Sequence, residues 1–279
     1  MSDLPPPRSW LFVPADSEKK VAKAIASDAD AVIFDLEDSV APDRKAAARE
    51  LLKNLGPREA GPRWWVRINP IGSEYHKDDL GVLKLADIEG IVLPKAESGA
   101  DVTHLAHSTG GIPIHAIVTE TAASLFGLLS YRDAKSPLVA MSWGAEDLSA
   151  ALGASSKYDV DGELSFTYKL ARSLCLAGAV AAGVQPVDGV FADFRDEAGL
   201  TAEAQAAARE GFTGKLAIHP AQVAAINAAF TPSAEEVAHA QAIVDAFAEN
   251  PSAGVLSVAG KMVDRPHLVQ AERVLARAQ

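Results

Sequence analysis

The sequence predicts a closed α/β barrel of eight parallel strands, a (β/α)8 barrel, followed by a C-terminal helical extension. Two observations indicate this fold: the strand-like runs are apolar on both faces, and helix-like stretches separate them. Eight such units in about 220 residues favour a closed barrel over an open doubly wound sheet, which is the alternative fold. The chain of 279 residues, 48% hydrophobic, is long enough to bury such a core.

The predicted elements follow the chain in order. The eight predicted strands occupy residues 8–14, 30–36, 63–69, 88–94, 112–118, 137–143, 185–191 and 214–219. Helices are predicted at residues 16–27, 43–54, 76–86, 98–108, 121–130, 165–183, 199–211, 220–229 and 233–249. Residues 1–230 are therefore predicted to form the barrel domain, and residues 231–279 a helical extension in which "NPSAG" is a joint before a closing segment.

Composition and charge argue against several classes of function. A net charge of −11 disfavours nucleic acid and membranes as partners, because both favour clustered Lys and Arg. The single cysteine, Cys175, excludes a disulfide within the chain and indicates a reducing compartment. No apolar run approaches the roughly 18 residues of a membrane span, and "MSDLPPPRSW" lacks the pattern of a signal peptide. A cytoplasmic location is therefore predicted.

Acidic residues recur where the predicted strands end. They are Asp35, Glu37 and Asp38 after the second strand, Glu120 after the fifth and Asp147 after the sixth. The loops that follow the strands of a barrel form its catalytic face, so these carboxylates are expected to converge there. Arg67, in "VRIN" on the third strand, is their basic counterpart.

Converging carboxylates repel one another unless a cation or a shared proton compensates them. A set of oxygen ligands suits Mg²⁺ or Mn²⁺, so a divalent metal is predicted. Each acid also has a structural alternative as a helix or turn cap, and Arg67 as an ordinary ion-pair partner. The stretch "FDLEDS" is also similar to the nucleophile motif of haloacid-dehalogenase phosphatases, but Glu37 and the position on the second strand argue against that motif.

Eight segments resemble, in order, the citrate lyase beta-subunit-like branch of the HpcH/HpaI aldolase superfamily, which includes malyl-CoA and citramalyl-CoA lyases. They are "RSWLFVPADSEKK", "ADAVIFDLEDSVAPDRKAAAR", "VRINP", "VLPKAE", "TETAASL", "GAEDLSAALG", "GKLAIHPAQV" and "GKMVDRPHLVQAERVLARA". The resemblance covers nearly the whole chain. It implies a TIM barrel, Mg²⁺ as cofactor, a small acyl thioester substrate and a homo-oligomer, a trimer or a multiple of it.

The same resemblance implies roles for individual residues. Glu120 and Asp147 are the implied metal ligands, Glu120 also contacting the substrate, and Arg67 holds the reacting oxygens. Asp264, in "KMVDRP", is the implied acid or base on a C-terminal lid that closes over a neighbouring subunit's site. The residues implied as outer partners of the metal site are Asp35, Glu37 and Asp38.

Candidate contacts to the thioester carrier lie near the first strand. Lys23, with Lys19 and Lys20, is on the first predicted helix, and Phe12 is beside it. These lysines either meet phosphates of the carrier or form a solvated helix face. Ala15 stands where many relatives have Gly, and its Cβ narrows the approach of a ligand to the backbone. Both CoA and an acyl carrier protein therefore stay open as carriers.

These assignments predict a Mg²⁺-dependent carbon–carbon lyase that reversibly cleaves a 3-hydroxyacyl thioester of the malyl, citramalyl or citryl type. The products are an acetyl thioester and an oxo acid. A thioester hydrolase is one alternative, because the same site could admit water, and a non-catalytic thioester-binding subunit is another. Arg67, Glu120, Asp147 and Asp264 together favour catalysis, because a binding module need not keep a metal site.

Overall fold

The structure, a computed structural model, describes residues 5–58, 60–83, 87–134 and 137–278. The chain forms two compact units, Pro7–Asn227 and a second made mainly by the chain from Ala228 onward. The predicted division into independent domains between residues 230 and 231 stays a prediction.

The first unit is a closed barrel of eight parallel strands that neighbour one another in chain order. The strands are β1 (Ser9–Pro14), β2 (Ala31–Asp35), β3 (Arg63–Arg67), β4 (Gly90–Leu93), β5 (Ile114–Val118), β6 (Leu138–Trp143), β7 (Gln185–Asp188) and β8 (Gly214–Ala217). Pairing of β1 with β8 closes the barrel. Each strand lies within its predicted range, so the predicted barrel is confirmed and the open sheet is wrong.

Large side chains fill the barrel interior. The rings of Trp10 and Trp65 meet edge to face at 4.9 Å, and Trp65 lies so close to Gly90 that a Cβ there would overlap its ring. His115 lies beside them with Nε2 2.9 Å from the Ser142 hydroxyl oxygen, and burial lowers the pKa of this histidine to about 3. The interior is therefore a packed, uncharged core, which leaves the ends of the strands for chemistry.

Helices follow most strands. They are α1 (Glu18–Ile25), α2 (Lys45–Lys53), α3 (His76–Val82), α4 (Gly99–Thr109), α5 (Ser124–Gly127), α6 (Ala145–Leu152), α7 (Phe166–Ala182), α8 (Glu197–Glu210) and α9 (Val223–Phe230). Short 3-10 helices occupy Pro42–Arg44, Leu128–Asp133 and Pro220–Gln222. Among the described residues, no helix is long and apolar enough to cross a membrane.

Three helices differ from the prediction. The helix expected at 121–130 begins only at Ser124, because the hydroxyls of Thr121 and Ser124 bond to each other's backbone N–H groups and compete with helical bonding. Helix α6 was not predicted, and it starts directly after Gly144, the residue that follows β6. Helix α3 ends at Val82, and residues 84–86 of its predicted range lie outside the described residues.

The second unit contains two helices and a hairpin. The hairpin was not predicted from the sequence. Helix α10 (Ala234–Glu249) precedes the antiparallel strands β9 (Val255–Val258) and β10 (Lys261–Asp264), and α11 (Arg265–Arg277) follows them. Both turn residues, Ala259 and Gly260, have positive φ, as a two-residue type I′ hairpin turn requires. Apolar side chains of the helices and the hairpin form a small separate core.

Candidate active site

A fixed arginine lies where β2 and β3 end. Arg67 is in register with Asp35, and its Nε and Nη2 donate to the two Asp35 oxygens at 2.7 and 2.6 Å. The guanidinium also lies 4.6 Å from the ring centre of Phe12. Burial alone would raise the pKa of Asp35, but Arg67 holds it below its usual value. The bidentate pair and the aromatic ring therefore fix the plane of the guanidinium.

The loop after β2 places a second buried carboxylate beside this arginine. Asp35 accepts hydrogen bonds from the backbone N–H groups of Glu37 and Ser39, which turns the chain sharply at the end of the strand. Glu37 is buried, and its Oε2 lies 3.0 Å from Nη1 of Arg67 without hydrogen-bond geometry. Burial raises the pKa of Glu37. The acids at the end of β2 thus form part of a charged cluster.

Lys95, a residue that the sequence analysis missed, connects three of the acids. Its Nζ pairs with Glu37 and lies 3.0 Å from Asp38 and 3.2 Å from Asp147. Burial alone would lower the pKa of Lys95, but these carboxylates raise it, so the side chain is an ammonium ion. A basic residue directly after "VLP", where other strands end in acids, was the available signal.

Glu120 is held by unusual backbone at the ends of β4 and β5. Lys95 has a φ of 51° and Thr119 a φ of 63°, both in the left-handed region that non-glycine residues rarely adopt. The Lys95 backbone N–H donates to Glu120 Oε2 at 2.5 Å. On the other side, a Cβ on Gly144 would lie 2.7 Å from Glu120 Cγ. Strained backbone of this kind is concentrated at functional sites.

Glu120 is a buried carboxylate whose negative charge is disfavoured unless a partner compensates it. Burial, with smaller contributions from Asp147 and Glu37, raises the pKa of Glu120 to about 8 despite its bond from Lys95. Within the described ranges, no three Asp, Glu, His or Cys side chains are arranged to hold a metal by themselves. Mg²⁺ often takes only one or two carboxylates and completes its shell with water and substrate oxygens. Glu120 and Asp147 fit that pattern.

The remaining predicted residues are placed as follows. Phe12 lies in the cluster, under Arg67. Lys23 is exposed in the last turn of α1, and no contact in the described part of the chain joins it to the cluster. Asp264 belongs to the second unit, where it is the N-cap of α11 and pairs with His267, whose hydrogen bond lowers the pKa of Asp264.

Acidic and basic side chains lie together at the carboxyl ends of the strands of this (β/α)8 barrel. This is the architecture of a barrel enzyme. The chain belongs to the HpcH/HpaI aldolase/citrate lyase family, whose model matches residues 8–220. The resemblance found in the sequence is thereby confirmed.

Three similar proteins narrow the comparison. A (3S)-malyl-CoA thioesterase of Cereibacter sphaeroides is 39% identical over 278 residues, which cover 98% of this chain and 95% of the relative. The human mitochondrial citramalyl-CoA lyase is 33% identical over 299 residues, which cover 98% and 86%. The crystal structure of CitE from Mycobacterium tuberculosis in complex with magnesium, acetoacetate and coenzyme A superposes with a TM-score of 0.83 at 40% identity, covering 97% of each chain. The two named enzymes catalyse different reactions.

Proposed function

We propose that this chain is a Mg²⁺-dependent carbon–carbon lyase that acts on a small 3-hydroxyacyl-CoA thioester. The observation that carries the proposal is the position of Arg67, Glu120 and Asp147 at strand ends of one barrel face, joined through Lys95 and Glu37. The CitE complex with magnesium, acetoacetate and coenzyme A supports both the metal and CoA as the carrier.

Glu120 and Asp147 are the residues that would hold the metal. Bound Mg²⁺ supplies a Lewis acid that stabilises negative charge on substrate oxygens. Glu37 and Asp38 are one side chain further from the proposed metal than Asp147, and the ammonium group of Lys95 connects them to it. Lys95 therefore limits the repulsion among the acids, and its backbone N–H orients the Glu120 carboxylate.

Arg67 is proposed to hold the substrate oxygens on which charge develops. In the reaction, the hydroxyl group loses its proton to a base and the carbon–carbon bond breaks. The electron pair of that bond moves into the thioester as an enolate, whose carbon then takes a proton from an acid, giving an acetyl thioester and an oxo acid. A guanidinium fixed by Asp35 needs no reorientation as charge appears, which makes its stabilisation effective. Asp264 is the proposed acid.

Thioester hydrolysis is the second candidate function. The likeness to the (3S)-malyl-CoA thioesterase, at 39% identity, favours it. Water would attack the thioester carbonyl, the carbon–sulfur bond would break, and CoA would leave as a thiol with the hydroxy acid intact. The same positively charged guanidinium would stabilise the oxygen of the attacked carbonyl.

A product assay separates these reactions. Purified protein is incubated with Mg²⁺ and malyl-, citramalyl- or citryl-CoA, and the thioesters and free acids are identified by mass spectrometry. We expect acetyl-CoA with glyoxylate, pyruvate or oxaloacetate, respectively. Free CoA with intact hydroxy acid would instead support the hydrolase. A Glu120→Gln preparation is the control for contaminating enzymes, and no turnover of any thioester would favour a binding subunit.

The proposed role of Asp264 across subunits predicts complementation. Asp264→Asn chains and Glu120→Ala chains are each expected to be inactive. Mixed oligomers should regain part of the activity, because one chain keeps its metal site and the other keeps its acid. Native mass spectrometry verifies that subunits have exchanged. Exchanged oligomers without activity would contradict sharing of Asp264 between subunits.

A further inference from the structure

A buried carboxylate lies on a barrel strand, β7, which pairs with β6, the strand that leads to Asp147. Asp188, the last residue of β7, is only 1% exposed. It accepts three hydrogen bonds of 2.8 Å, from Lys215 Nζ, from Arg172 Nε and from the indole Nε1 of Trp143. One of these donors, Trp143, is the last residue of β6. Gly144 and then α6, the helix that contains Asp147, follow it.

The negative charge of Asp188 is compensated by cations without the indole. Burial alone would raise the pKa of Asp188, but Lys215 and Arg172 hold it well below its usual value. Lys215 also lies 2.7 Å from Glu203, and Arg172 pairs with Glu210. Trp143 therefore adds a neutral donor to a carboxylate that two cations already compensate. The bond is more important for Trp143, whose orientation it fixes, than for Asp188.

The backbone after Trp143 connects this anchor to the candidate metal site. Gly144 is the next residue, and a Cβ on it would lie 2.7 Å from Glu120 Cγ. Asp147 follows in the first turn of α6. On the opposite side, a Cβ on Gly189 would lie 2.9 Å from Nε1 of Trp143, so the indole is closely enclosed. The backbone that directly follows the anchored indole therefore packs against Glu120 and leads to Asp147.

We propose that Trp143, anchored by Asp188, is a positioning residue of the Mg²⁺ site. The hydrogen bond fixes the turn from Trp143 to α6 and so sets the separation of Glu120 and Asp147. Trp143 contacts neither carboxylate through its indole nitrogen, which is bonded to Asp188. The inference rests on the proposed function, because it presupposes that Glu120 and Asp147 hold the metal.

The test compares two tryptophan substitutions that remove the same volume. Trp143→Phe deletes the anchoring N–H. Trp64→Phe is the matched control, because Trp64 is also buried on a barrel strand and its Nε1 has no hydrogen-bond partner in the described structure. Loss of groups that orient metal ligands weakens metal affinity by roughly 10- to 100-fold. We expect a loss of this size, by calorimetric titration with Mg²⁺, for Trp143→Phe and about twofold or less for Trp64→Phe.

Further measurements make each outcome decisive. One outcome is that the wild type binds Mg²⁺, Glu120→Gln does not, and the two tryptophan variants bind it with equal affinity. This outcome overturns the role of Trp143 but not the proposed metal site. Wild-type protein that binds no Mg²⁺ overturns the proposed metal site as well. If Trp143→Phe does not fold, Gly189→Ala replaces it, because its Cβ displaces the indole while every hydrogen-bonding side chain is kept. A Mg²⁺ affinity in Gly189→Ala equal to that of the wild type then overturns the inference.

Discussion

Glu120→Gln should abolish Mg²⁺ binding and leave the fold intact. The amide oxygen of Gln can still accept the Lys95 backbone N–H, but the variant lacks the negative charge that a divalent cation requires. Because burial raises the pKa of Glu120 to about 8, the metal-free site already tolerates an uncharged side chain. We expect Mg²⁺ affinity to fall roughly 100-fold or more, beyond the usual effect of losing an orienting group. Calorimetric titration measures this, and circular dichroism verifies the fold.

Glu146→Gln is the matched control for this experiment. Glu146 immediately precedes Asp147 on α6, but its side chain is 61% exposed and pairs with Lys157. Its Mg²⁺ affinity should equal that of the wild type, whereas Asp147→Asn should lose binding as Glu120→Gln does. Unchanged affinity in both Glu120→Gln and Asp147→Asn would refute the assignment of these ligands.

Arg67→Lys should lower kcat by roughly 10²- to 10³-fold, the usual effect of removing one preorganised donor from developing charge. A lysine is a point charge and cannot bond both oxygens of Asp35 while facing a substrate. The conservative change keeps one positive charge beside Asp35. Removing the charge altogether would leave a buried carboxylate unpaired, which costs about 3–5 kcal/mol and could unfold the barrel.

Steady-state kinetics with the thioester that the product assay identifies would measure the effect of Arg67→Lys. Arg44→Lys is the control, because Arg44 is half-exposed and its guanidinium is 3.7 Å from Asp16 in a surface ion pair. We expect the kcat of this control to stay within about twofold of the wild type, since exposed pairs contribute little. An equally small change in Arg67→Lys would contradict the role proposed for the guanidinium.

The barrel strands were predictable because their burial is visible in the sequence. Every residue of β2, from Ala31 to Asp35, is buried, and the four residues before Asp35 are an unbroken apolar run. The hairpin of β9 and β10 lacks this signal, since Val255 is 59% and Met262 64% exposed. Helix α6 was missed because Gly144 leaves no loop between the helix and β6.

The acids and Arg67 of the candidate site were predictable from their positions at strand ends. Lys95 was not, because Glu37 and Asp38 lie 58 and 57 residues away in the sequence and only the closed barrel brings them together. The left-handed backbone at Thr119 was not predictable either, because the residue there is not glycine, which usually adopts that conformation. The bond from Trp143 to Asp188 spans 45 residues and joins two side chains that each look like ordinary core or cap residues.

The pairing of β1 with β8 has a consequence for how the chain folds while it is made. Ser9, Trp10 and Leu11 pair with Lys215, Leu216 and Ala217, which the ribosome adds about 200 residues later, roughly 10–40 s at usual rates of synthesis. Until then one side of β1 is an unpaired strand edge, a template for association with other nascent chains. Emergence of β8 therefore ends the period in which the growing polypeptide is most exposed to aggregation.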